Sequence, residues 1–110
     1  IRRMAISNIW PIMGILERTG FTGIPLIGPS PLQVNFTDQS TGDITSWEWN
    51  FGDGSPVSND QNPDHSFANA GIDMVSLTVS GPLGSDAETK TDYISVTRLN
   101  MGIYLLLLEY

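Results

Sequence analysis

From Leu32 onward, apolar and polar residues alternate in short runs, and each run stops at a cluster of turn-forming residues. Leu32, Val34 and Phe36 alternate with Gln33, Asn35 and Thr37, and a period of two places one set on each face of a strand. The turn formers from Asp38 to Asp43 close that run. Trp47, Trp49 and Phe51 then alternate with Glu48 and Asn50 until Gly52, Asp53 and Gly54 stop them. Ser55 to Asp64 is polar, contains two prolines, and reads as a long loop with at most a short edge strand. Extension resumes at His65 to Phe67, and Met74 to Val79 puts Val75, Leu77 and Val79 on one face. After the turn at Gly81 to Gly84, Ala87 to Thr91 and Tyr93 to Val96 are expected as the last strands. Short strands recurring every ~8–15 residues with no helical period predict an all-β sandwich or small barrel, the sandwich being commoner near this size.

A chain of 110 residues suits a single hydrophobic core. Its 11 glycines and 7 prolines favour turns over helices. The formal net charge of −7 with only five basic residues repels phosphate backbones, so nucleic acid is excluded as a partner class. There is no cysteine, which removes disulfides and thiolate metal sites from consideration. The longest apolar run, Ile103 to Leu108, falls far short of the roughly 20 residues of a membrane-spanning helix.

One set of residues carries a specific resemblance. Pro31 to Asp38, Ser40 to Gly42, Trp47 to Gly54, Asn62 to His65, Gly71, Val75 to Val79 and Tyr93 to Val96 resemble, in order and spacing, the PKD-repeat family. Gly20 to Pro25 and Gly28 look like that family's first strand and following turn, so the resemblance covers about residues 20–97. This chain departs from the family at Asn50, where an aspartate is usual, at Phe67, commonly tyrosine, and at Ile72, commonly aromatic. The resemblance implies a seven-stranded immunoglobulin-like β-sandwich of cell-surface proteins, surface-layer proteins and secreted hydrolases, hence an extracellular or cell-surface location. It also implies a spacer or a protein- or carbohydrate-contacting module without catalysis of its own.

The residues themselves give the motif a physical reason. Trp49 and Phe51 are bulky core anchors for a small sandwich that has no disulfide. Gly52 and Gly54 allow the positive φ of a tight turn, whose amides Asp53 can accept. His65, the one histidine, lies beside Asp64, but no nucleophile elbow accompanies it, so it reads as a packing residue at a strand corner and no enzyme is expected. Asp38, Asp43, Asp53, Asp60 and Asp64 offer oxygen ligands for Ca²⁺ if the fold gathers them, with turn formation as the default role. Asn35, Phe36 and Thr37 form an N-x-Thr sequon whose alternation points Asn35 outward.

That leaves an apolar N-terminal extension at 1–19 and an apolar C-terminal segment at 98–110, flanking a sandwich domain at 20–97. Exposed apolar segments recruit other chains. Ile6, Ile9, Trp10 and Ile12, with Ile103, Tyr104, Leu105 and Leu107, are therefore candidates for self-assembly into a homo-oligomer, fibre, layer or stalk. The alternative is an accessory module of a larger secreted hydrolase or adhesin, contacting polysaccharide or protein through aromatics such as Trp10, or Trp47 if it is exposed.

Overall fold

The computed structural model describes residues 16–98. Seven strands form: β1 (Phe21–Ile24), β2 (Ile27–Pro29), β3 (Leu32–Asp38), β4 (Ser46–Asn50), β5 (Asp64–Phe67), β6 (Gly71–Gly81) and β7 (Gly84–Thr97). They make a three-stranded sheet in the order β1-β3-β5 and a four-stranded sheet in the order β2-β7-β6-β4. All neighbours are antiparallel except β2 and β7, which run parallel. A two-sheet β-sandwich is the result, as the alternation predicts, and it is of the immunoglobulin-like kind that the resemblance implies.

Each sheet turns one period-two face inward. Leu32, Val34 and Phe36 from β3 meet Val75, Leu77 and Val79 from β6, with Ile94 and Val96 from β7, all buried. The expected anchors lie among them: Trp49 is fully buried and Phe51 is 2% exposed. Trp49 meets Phe21 edge-on at 5.2 Å between ring centroids and stacks on Phe51 at 6.4 Å, geometries that aromatic quadrupoles favour. The Trp49 indole N–H, which would be costly to bury unpaired, donates to the Asp60 carbonyl at 2.9 Å.

Two details alter the expected element map, and a third fills in the short edge strand that it allowed for. The residues after β1 do more than turn, because β2 leaves the first sheet and pairs in parallel with Ser95 to Thr97. In the long polar loop, Ser58 exchanges two backbone hydrogen bonds with Trp49 at 2.8 and 3.1 Å, covering part of the β4 edge. The last two expected strands are a single β7. Asp92, at φ 50°, interrupts the alternation locally while the ladder continues on both sides of a bulge opposite Met74.

The two described chain ends lie at opposite ends of the sandwich. Arg18 pairs with Thr41 beyond the Asp38 end of β3, whereas Thr97 lies opposite Pro29, near the Leu32 end. Six residues of strand, about 20 Å, separate those ends.

Candidate functional site

Gly52 sets up the site. Its φ is +72°, and a Cβ there would come within 2.1 Å of the Met74 carbonyl oxygen, so only glycine lets the chain turn this close to β6. The Asn50 side-chain carbonyl accepts the Gly52 amide at 2.9 Å. Asp53 then accepts the Ser55 amide at 3.1 Å, the turn role expected for it.

This turn faces β5 and the start of β6 across an open cavity of about 400 Å³, lined by Asp53, Ser55, His65, Phe67, Asn69 and Asp73 among others. The His65 ring stacks on Phe51 with centroids 4.0 Å apart and planes 6° apart, and it meets Phe67 edge-on at 4.6 Å. Fixed in that way, Nε2 reaches Asp53 Oδ2 at 2.7 Å. The histidine's partner is thus Asp53 and not its sequence neighbour Asp64, whose carboxylate accepts from Asn35 Nδ2 on the outer face of the three-stranded sheet.

Ser55, His65 and Asp53 look like a hydrolytic triad by composition but not by geometry. Ser55 Oγ lies 3.4 Å from His65 Nε2, the same nitrogen that meets Asp53, and it donates its own proton to Asp53 Oδ1. A working triad places serine and carboxylate on different imidazole nitrogens, so that one orients the ring while the other receives the proton.

The electrostatics of the cavity are divided. Burial pushes the Asp53 carboxyl up, but hydrogen bonds from His65 and Ser55 outweigh it and hold the group below the usual aspartate range. Asp73 lies above that range, first through burial and then through the nearby charge of Asp53, with His65 offsetting only part. Among the described residues Asp73 makes no ion pair. The sequence reading passed over this residue, though a signal exists: the period that puts Val75, Leu77 and Val79 inside also turns Asp73 inward.

The other candidates fall apart in space. Asp38 is a structural hub, accepting Trp47 Nε1 at 2.8 Å, Gln61 Nε2 at 3.1 Å and the Ser40 amide at 2.9 Å. Asp60 offers its backbone carbonyl to Trp49. The Ca²⁺ set is therefore not assembled, and among the described residues no three His, Asp or Glu side chains gather as metal ligands. Trp47 is half-buried against the core, and its indole N–H is engaged with Asp38. Asn35 is exposed at the centre of β3. Ile6, Ile9, Trp10, Ile12, Ile103, Tyr104, Leu105 and Leu107 lie outside the described residues.

Comparison with known proteins agrees with this fold. A family model described as PKD domain matches residues 27–96. Among solved structures, the PKD1 domain of Vibrio anguillarum Epp is 26% identical with a TM-score of 0.61, over 76% of this chain and 98% of that one. The PKD1 domain from the Vibrio cholerae metalloprotease PrtV is 30% identical with a TM-score of 0.62, over 76% of this chain and 99% of that one. A structure described in terms of carbohydrate-binding modules of the β-sandwich superfamily is 26% identical with a TM-score of 0.68, over 76% of this chain but 35% of its own. The matched span takes in β2 to β7, the Trp49 to Gly54 turn and the cavity it frames, and on those grounds the chain belongs to the PKD domain family.

Proposed function

We propose that this chain is a non-catalytic accessory module of a larger secreted protein, and that the cavity framed by Asp53, His65 and Asp73 is where it touches a polar polymer. The observation that carries the first half is the similarity to the PKD1 domain of the metalloprotease PrtV, a domain matched over 99% of its own length. The chemistry of the cavity supports the second half. Carboxylates, a hydroxyl and an amide present mainly acceptors, which suit the donor-rich hydroxyls of a polysaccharide or the amines of a basic one. A net charge of −7 argues against acidic polymers. An amine would relieve the unpaired Asp73 directly.

Self-assembly into a fibre, layer or stalk is the weaker reading, since its eight candidate residues lie outside the described part and the similar proteins include modules of larger ones. The accessory role is tested by co-sedimenting the full chain with insoluble cellulose, chitin and deacetylated chitin. Retention on one or more, reduced roughly tenfold by Asp73→Asn or Asp53→Ala in line with loss of a charged hydrogen-bond partner, supports it. No retention, or retention indifferent to both substitutions, rejects the cavity as a contact site.

A further inference from the structure

Asn35 lies on the central strand of the three-stranded sheet, paired in register with Ile24 on one side and Asp64 on the other. All three residues are exposed. Ile24, at 69%, is the most exposed of the large hydrophobic residues described. Thr37, two residues further along the same face, is exposed too, which gives the hydroxyl that the N-x-Thr acceptor signal requires. The outer face of this sheet therefore carries a row of acid, amide and bare aliphatic side chain that the core does not explain.

We infer that Asn35 is an N-glycosylation site whose first sugar lies over Ile24 and is aimed there by Asp64. The co-reactant is an oligosaccharide linked through a diphosphate to a polyprenyl lipid. Asn35 Nδ2 bonds to the anomeric carbon, the bond from that carbon to the diphosphate oxygen breaks, the lipid diphosphate leaves, and Nδ2 gives up one proton. The resulting secondary amide keeps one N–H, enough to maintain the donation to Asp64 Oδ1 seen in the structure. That hydrogen bond limits rotation about the linkage and directs the sugar away from Asp64 toward Ile24, whose aliphatic surface the ring's C–H face can cover. In the folded domain Nδ2 is engaged and its strand is paired on both sides, so transfer precedes folding.

The proposal rests on export of the protein but not on polymer contact, because Asn35 stands on the outer sheet face and the cavity opens at the β5 to β6 corner. The full chain is secreted from a glycosylating eukaryotic cell and mapped by peptide mass spectrometry, beside Thr37→Ala and Asn35→Gln. Expected are a glycan on Asn35 in most of the secreted wild type, its absence from both variants, and nuclear Overhauser contacts between the first sugar and the Ile24 methyls. Secreted, folded wild type with Asn35 unmodified overturns the site. A glycan without contact to Ile24 overturns the assigned orientation. Thr37→Ala and Asn35→Gln act independently, so a folding failure in one leaves the other to decide. Co-sedimentation with polysaccharide unaffected by glycan removal separates this result from the fate of the accessory role.

Discussion

Trp49 and Gly52 are three residues apart, and each is irreplaceable for its own reason. Trp49 is fully buried, in contact with three other aromatic rings, so Trp49→Ala is expected to cost about 3–5 kcal/mol, read as a lowered midpoint of thermal unfolding. Gly52→Ala forces a Cβ onto the Met74 carbonyl, whereas at Gly54, with φ +85°, a Cβ meets nothing within 4 Å. Gly54→Ala should then cost only the ~1–2 kcal/mol of a left-handed non-glycine residue, and Gly52→Ala clearly more, measured by urea unfolding. The acids give a pH signature with two signs. Burial raises Asp38, but hydrogen bonds from Ser40, Gln61 and Trp47 outweigh it and leave the group lowered; Asp53 is lowered as well. Their contribution is full above the unfolded aspartate value of about 3.9 and is lost as pH falls through their depressed folded values. Asp73 is raised, so its ionisation weakens the fold at neutral pH and that penalty vanishes below about 3.9. Asp73→Asn is expected to stabilise the protein at pH 7 and to do nothing at pH 3, measured by chemical denaturation. Trp49, Phe51 and Gly52 were legible because strand alternation and turn chemistry are local. The inward turn of Asp73 was legible in the same period, but the burial and the neighbouring Asp53 charge that raise its carboxyl come together only after folding, Asp53 lying 20 residues away in the chain.

At the scale of elements, β3 and β4 appear where their alternation places them, and β6 contains the expected Met74 to Val79 but runs longer, from Gly71 to Gly81. What local pattern could not show is how the sheets are tied. Tyr93 Oη accepts the Gly23 amide at 3.0 Å, joining β7 in one sheet to β1 in the other, and its ring meets Phe21 edge-on at 5.8 Å. Tyr93→Phe keeps the ring and removes the acceptor, so a loss of about 1 kcal/mol is expected in denaturant unfolding. Asp92 looked like a break between two strands because it interrupts the period. The ladder to β6 runs past it, since a bulge absorbs the extra residues without ending the pairing. Upstream, Thr19 donates its amide to Asp86 at 2.8 Å and Glu17 accepts from Leu83 at 3.3 Å. These contacts clamp residues 17–19 to the β6 to β7 hairpin, and the apolar character of the flank gave no sign of them because they are made by polar atoms.

For the whole molecule, Arg18 and Thr97 lie at opposite ends of the sandwich, with the cavity at the end where β7 finishes. The accessory reading expects a monomer in solution. Size-exclusion chromatography with light scattering, on the full chain and on a chain lacking residues 1–15 and 99–110, tests this: concentration-dependent assembly abolished by the deletion would restore the fibre reading. The sandwich was legible as a whole because its evidence is repeated along the sequence, while the cavity joins the β4 to β5 loop to the β5 to β6 corner and exists only in the fold. The most direct test of the contact role is a ¹⁵N-resolved NMR titration of the full chain with the soluble oligomer of whichever polysaccharide retains it. The account expects amide shifts confined to Asp53, Ser55, His65, Asn69 and Asp73 and their neighbours, saturating with added oligomer; shifts that saturate elsewhere on the surface and leave these residues still would contradict it.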